Sequence, residues 1–354
     1  MRESFSVILK GPGSLEVRTI PIPRIPGPSV QVAMKACGIC GSDARYYQGE
    51  NPWSLHTLGR NVPSPPNMVL GHEVSGVVSV GGRVRRVAIL AYKACGTCPY
   101  CTSGRENLCE NMQHFGHSAG WDPMPHYPGG MAERFEIWQG FDYDIPDAIS
   151  FEEATFLDGL AVAIHAVDQG GLVSGATAGF IGLGPIGLMA AQVAHARGAA
   201  AIVGCDVDPL PPRLAKEVGL DGMLCSDSGG FVSFVRGHNA VARGLDLVVD
   251  TVGTPETIRD GLSVLAKSGA LVLLAVHEQP VPLKPIALSG ERRIVTSANN
   301  KYRDFPEAIR LLGAGHVKVA PLITHRFPLA DARKAFDLML HKTENQVYKI
   351  ILHP

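Results

Sequence analysis

Two kinds of hydrophobic pattern divide the chain. From residue 177 onward, short unbroken apolar runs alternate with longer mixed stretches: TAGFI, the Ala/Leu/Met-rich LMAAQVAHARG, AAIVGCD at 200–206, GLDLVVDTVG at 244–253 and GALVLLAV at 269–276. Runs with no polar alternate positions belong to strands covered on both faces, and intervening helical stretches supply the cover. This half therefore predicts a doubly wound α/β architecture. Upstream, the Val-rich segment that follows Gly71, His72 and Glu73 in LGHEVSGVV alternates instead, as a half-buried strand does. The longest apolar runs, such as ALVLLAV at 270–276, fall far short of the roughly eighteen residues of a membrane span. The N-terminal MRESFSVILKGPG has no signal-peptide core, because its apolar stretch stops at Lys10 and Gly11.

The first run of the α/β half feeds a glycine turn. In TAGFIGLGPIG, residues 177–187, the glycines are Gly182, Gly184 and Gly187, with Pro185 and Ile186 between the last two. A helix pattern follows, then a strand that ends at Asp206, nineteen residues past Gly187. Strand, G-x-G-x-x-G, helix, strand and acid in that order form a Rossmann dinucleotide unit. The glycines admit a pyrophosphate to the helix N-terminus. An acid at the end of the second strand binds both ribose hydroxyls and repels a 2′-phosphate, so Asp206 predicts NAD over NADP.

Composition narrows the class. The 354 residues are 45% hydrophobic and 18% charged, which fits a soluble globular chain of two domains, and Gly 40 and Pro 26 imply many turns. The formal net charge of −1 argues against nucleic acid or an anionic membrane as partner. Arg83, Arg85 and Arg86 are too short a run to alter this and read as a solvated turn. The expected compartment is cytoplasmic, where thiols stay reduced.

That matters for CGTCPYCTSGRENLC. Four of the eight cysteines, Cys95, Cys98, Cys101 and Cys109, stand here with the spacing C-x2-C-x2-C-x7-C. Tetrahedral zinc suits four thiolates on short turns, with an iron–sulfur cluster as the competitor. A four-thiolate zinc site has no open position, so it can brace a loop but not catalyse. Cys37, Cys40, Ser42 and Asp43 in ACGICGSD, with His72 and Glu73, form a second set of zinc-ligand types. Cys37 reads as a small buried hydrophobe. Cys40 with His72 is the informative pair.

ACGICGSD, LGHE, the four-cysteine loop, GLGPIG and APLITHRFPLADARKAF at 320–336, in this order, resemble the zinc-dependent medium-chain dehydrogenase/reductase family along nearly the whole chain. The polyol branch, like sorbitol and threonine dehydrogenases, is the most similar. The resemblance implies a GroES-like β-rich catalytic domain made of residues 1–156 and 297–354, a Rossmann NAD domain at 157–296 between them, and an active site in the cleft. It implies two zinc ions per subunit. Cys40 and His72 match catalytic-zinc ligands, and Glu73 matches a carboxylate that binds zinc directly in some members and indirectly in others. Ser42 matches the hydroxyl that passes the alcohol proton outward. Cys95, Cys98, Cys101 and Cys109 match the structural zinc lobe. Val276 and Lys349 match cofactor positions, Lys349 near the pyrophosphate. Edge-strand association implies a homodimer or homotetramer.

Three departures stand out. Where relatives carry Cys or Glu as third ligand, this chain has Asp158 followed by Gly159. Three readings stay open: Asp158 binds zinc, it acts through water while Glu73 binds, or it is a helix N-cap. The strand after GHE is short. Residues 48–67 and 116–133 are long, and their Trp53, His56, Trp121 and His126 either line the cleft or face solvent or a partner subunit. The implied activity is NAD-dependent oxidation of a secondary alcohol in a small polyol, sugar or cyclitol. An NADPH-dependent carbonyl reductase, a zinc-free binding protein and a zinc-ribbon nucleic-acid module are the alternatives. Asp206, the retained Cys40 and His72, and the net charge disfavour them in turn.

Overall fold

The computed structural model describes residues 2–118, 120–275 and 279–354, without the side chains of 56–58. Val276 and the His56 side chain, both candidates above, lie outside the described residues. The chain forms two compact units, 1–158 with 301–309 and 323–354, and 159–300 with 310–322. It passes from one to the other within the helix Leu157–Gly170.

The first unit is β-rich. A seven-stranded sheet orders Asp142–Asp144, Arg83–Ile89, Glu73–Val80, Ser29–Gly38, Lys349–His353 and Ile323–Pro328, and Arg134–Trp138 also pairs with Ser29–Gly38. The last strand of the chain thus lies against one of the first, with Ile351 opposite Gly38. On the other side of Ser29–Gly38, Gly38 pairs with Glu73. Side chains from both faces, among them Val32, Met34, Val74, Val87, Phe135, Trp138 and Ile350, make one buried core. The Arg83–Arg86 run is a strand rather than a solvated turn. It pairs with Glu73–Val80, and its arginines have partners: Arg85 donates to Asp142 and Asp144, and Arg86 to Asp147 and to the carbonyls of Pro146 and Ile149.

The second unit is doubly wound. Six parallel strands stand in the order Met223–Cys225, Ala201–Asp206, Thr177–Ile181, Leu245–Asp250, Leu265–Leu273, Arg293–Thr296. In chain order within the unit that is 3-2-1-4-5-6, the Rossmann arrangement. Residues 269–273 of the apolar run are the end of a strand that begins at Leu265. Lys267 and Ser268 are exposed and fall where the register with Leu245–Asp250 shifts, between the pairs Leu245–Leu265 and Leu247–Ala270. No helix among the described residues is long and apolar enough to cross a membrane.

Candidate functional site

The register of the first sheet assembles a cluster from distant segments. Ser29–Gly38 ends, and two residues later Cys40 precedes the helix Gly41–Tyr47. His72 lies immediately before the strand that begins at Glu73. Asp43, in the first turn of the helix and 0% exposed, ties these segments together. One carboxylate oxygen accepts the Cys40 N–H at 2.9 Å. The other accepts the Gly71 N–H at 3.3 Å and lies 3.8 Å from His72 Nδ1. The ligand atoms of Cys40, His72 and Glu73 consequently lie within 4.8 Å of one another.

Charges around this trio are unevenly balanced. Burial alone would lower the His72 pKa, but Cys40, Asp43 and Asp158 reverse it and raise it to about 10. Asp158, in the first turn of Leu157–Gly170, lies outside the 4.8 Å trio. Burial raises its pKa to about 6, with His72 opposing and Glu73 adding to the shift. Burial likewise raises Asp43. Burial, with the nearby Glu73 charge, thus raises both carboxyls, and the same acidic surroundings raise His72. A dication among these groups would satisfy the same field. Thiolate, imidazole and carboxylate are the donors zinc takes, and His72 Nδ1 is buried without a hydrogen-bond partner, so the residues fit the metal.

Lys349, placed near a pyrophosphate by the resemblance, starts the strand Lys349–His353 and is only 3% exposed. Its ammonium pairs with Glu73 Oε2 and lies 5.4 Å from the Phe156 ring centroid. Burial works against its charge, but Glu73 and other acidic neighbours hold its pKa above the usual lysine value. Ser42, in the same short helix as Asp43, has its Oγ buried with no partner among the described residues.

The four cysteines form a second cluster. The sulfurs of Cys95, Cys98, Cys101 and Cys109 lie within 4.8 Å of one another, and none is in a disulfide. Backbone N–H groups of Cys98 and Asn111 donate to Cys95 and Cys109, at 3.4 and 3.3 Å. Hydrogen bonds led by the Thr97 hydroxyl lower the Cys95 pKa to about 5, whereas burial raises Cys101 to about 12. Four such sulfurs become thiolates together only around a cation, which fits zinc.

In the second unit, Gly182 has φ +83, and a Cβ on Gly187 would lie 2.1 Å from the Gly182 carbonyl oxygen, so the turn needs both glycines. Gly184 caps the helix Pro185–Ala196, with Pro185 at its first position, Ile186 next and Gly187 in its first turn. Asp206 ends its strand, accepting the Leu183 N–H at 2.8 Å and the Asp208 N–H at 2.9 Å. It therefore braces the glycine turn.

Of the long-loop residues, Trp53 lines a cavity of about 470 Å³ with Lys93, Cys95 and Gln113. Trp121 packs inward, stacking on Trp138 at 5.6 Å and donating its indole N–H to the His114 carbonyl. His126 is half-buried near Arg18, Lys10 and Glu16. Sequence reasoning missed two histidines. His117 lies 4.3 Å from His72 and 4.1 Å from His114 between ring centroids, and its Nδ1 is 2.9 Å from the Tyr46 hydroxyl. Burial, then His72, lowers the His114 pKa to about 3. The only local signal was H-F-G-H, two histidines three apart among thirteen in the chain.

A parallel nucleotide sheet and a separate Cys/His/Glu cluster together define a metal- and dinucleotide-dependent oxidoreductase. Residues 26–147 match the alcohol dehydrogenase GroES-like domain and residues 185–314 the zinc-binding dehydrogenase model. The chain belongs to the zinc-dependent medium-chain dehydrogenase/reductase family, in its sorbitol-dehydrogenase-like polyol branch. Sorbitol dehydrogenase of Ovis aries is 33% identical over 95% of this chain and 93% of its own. Among solved structures, L-idonate 5-dehydrogenase of Escherichia coli K-12 has a TM-score of 0.85 at 27% identity, covering 100% of this chain and 99% of its own. A Sinorhizobium meliloti 1021 protein solved bound to NADP has a TM-score of 0.84 at 27% identity, covering 100% of both chains.

Proposed function

We propose that this protein reversibly oxidises a secondary carbinol of a small polyol, sugar or cyclitol, with NAD as acceptor. The observation that carries the reading is the convergence of Cys40, His72 and Glu73 within 4.8 Å, beside an unpartnered Ser42 hydroxyl. Sorbitol and L-idonate, named for the two relatives above, supply the substrate class.

Cys40, His72 and the free oxygen of Glu73 would hold one zinc, while Lys349 keeps the other Glu73 oxygen. Asp158 acts from outside the trio. Bound zinc supplies Lewis acidity that lowers the pKa of a carbinol oxygen. Asp43 fixes the relative placement of Cys40 and His72. Ser42 accepts the proton that leaves the substrate hydroxyl and passes its own outward. Gly182–Gly187 would carry the pyrophosphate of a nicotinamide cofactor and Asp206 would accept from its ribose hydroxyls, and the bound cofactor would supply the acceptor for the carbinol hydride. The Asp206 charge would repel a 2′-phosphate, which supports NAD although one relative binds NADP. The four-cysteine lobe would hold a second, bracing zinc.

The test is NADH formation, followed by absorbance, on a panel of polyols, sugar acids and cyclitols with zinc-loaded protein. Turnover of at least one, lost in Cys40→Ser, is expected. No turnover of any secondary alcohol with either NAD or NADP would overturn the proposal.

A further inference from the structure

Beside the metal cluster stands a wall of imidazoles that the proposed chemistry does not use. His72, His117 and His114 form a triangle with centroid separations of 4.3, 4.1 and 6.2 Å, and the planes of His72 and His114 are 85° apart. The wall is held from behind: Tyr46 bonds His117 Nδ1, and the Trp121 indole N–H fastens the His114 backbone. His114 Nδ1 lies 3.2 Å from the Phe115 carbonyl oxygen. A carbonyl only accepts, so Nδ1 carries the proton of the neutral ring and Nε2 is left as a bare acceptor. Nε2 has no partner among the described residues and is not sealed in the interior. An acceptor with nothing to accept, fixed in orientation, thus stands on a ring whose centroid is 6.2 Å from that of His72.

We infer that His114 is a specificity-determining residue. Its Nε2 accepts a hydrogen bond from the hydroxyl adjacent to the reacting carbinol and so selects vicinal diols over isolated secondary alcohols. This rests on the oxidoreductase reading above and assigns the neighbouring hydroxyl its partner. A site built to bond a substrate hydroxyl discriminates against the analogue that lacks it, because the protein group is then left unpaired.

The test compares 2,3-butanediol with 2-butanol. In the wild type, kcat/KM should favour the diol by about two- to tenfold, the worth of one ordinary hydrogen bond. His114→Phe, which keeps a ring and loses the acceptor, should cut that ratio to near unity, and His114→Gln, whose amide oxygen can replace Nε2, should restore part of it. In ¹⁵N-histidine-labelled protein, the unprotonated Nε2 resonance of His114 should shift with the diol and not with the mono-alcohol. A wild-type ratio near unity, an unchanged ratio in His114→Phe, or an Nε2 found protonated in the resting protein would each overturn the inference while leaving the oxidoreductase reading intact. Absence of turnover on both alcohols and on all polyols would overturn both.

Discussion

Lys349 and Glu73, 276 residues apart, meet as a buried ion pair over Gly38. A Cβ on Gly38 would lie 2.5 Å from Glu73 Oε2 and 2.8 Å from Lys349 Cε. The glycine therefore makes the space in which the strands Glu73–Val80 and Lys349–His353, on either side of Ser29–Gly38, bring opposite charges together. Breaking one half of such a pair leaves the other charge buried and uncompensated.

Lys349→Met is expected to cost roughly 3–5 kcal/mol, the scale for orphaning one partner of a buried pair, read from urea midpoints. The Lys349 pKa is raised in the folded protein. Its contribution is thus fully present below the unfolded lysine value and is lost only as pH rises through the folded one. The wild type should lose its advantage over the variant only in strong alkali; an equal gap at high and neutral pH would contradict the ion pair. Gly38→Ala should destabilise by about 1–3 kcal/mol through overpacking.

Zinc uptake at the Cys40–His72–Glu73 cluster should release protons. With its pKa near 10, His72 is protonated at neutral pH in the metal-free protein and must lose that proton to bind. Apparent affinity should therefore climb with pH towards that value. Calorimetry in two buffers of different ionisation enthalpy measures the release, and His72→Ala should release fewer protons than the wild type.

Asp158→Asn and Glu73→Gln separate the carboxylate roles. Glu73→Gln should lower zinc content at the cluster, because an anionic ligand becomes neutral. Asp158→Asn should retain the metal and lose about 10–100-fold in activity, the scale for groups that act through another ligand. Stoichiometric metal analysis with the reverse pattern would make Asp158 the ligand.

Asp206→Asn should erode the preference for NAD over NADP by about tenfold or more, since charge repulsion of a 2′-phosphate disappears. Because Asp206 also accepts the Leu183 and Asp208 N–H groups, Asp206→Ala should in addition lower stability and weaken both cofactors. An unaltered NAD/NADP ratio of kcat/KM in Asp206→Asn would place the ribose elsewhere.

Cys98→Ser should impair folding more than chemistry, and chelators should strip the Cys40 cluster first, because a four-thiolate lobe exposes no open position. Arg293–Thr296 is the last strand of the parallel sheet among the described residues; if copies pair along it, light scattering should give a mass above 37.7 kDa.

Local spacing alone determined much of this protein. The C-x2-C-x2-C-x7-C run closes on itself because its ligands sit on adjacent turns. The strand, glycine turn, helix and Asp206 are consecutive, so their contacts span few residues. Buried parallel strands announce themselves as unbroken apolar runs. Even the Cys40 and His72 pairing was legible, as two short motifs in a known order. The start of the strand Arg83–Ile89 was not, because Arg83, Arg85 and Arg86 are charged and only Val87, Ala88 and Ile89 are buried, while the partners of Arg85 and Arg86 (Asp142, Asp144 and Asp147) lie on a distant segment.

Tertiary structure decided the rest. That Lys349 reaches Glu73, that Asp43 holds both ligand segments, and that Tyr46, His117 and His114 stand against His72 depend on strand register and on where a long loop folds back. A one-residue slip in Ser29–Gly38 would turn that strand's own side chains to the opposite face and shift Gly38 from its places opposite Glu73 and Ile351. Nothing in the hydrophobic pattern around His114 or Lys349 records which distant residue will lie opposite. Proximity between residues far apart in sequence is a property of the assembled sheet, fixed when its core packs, and so it appears only in three dimensions.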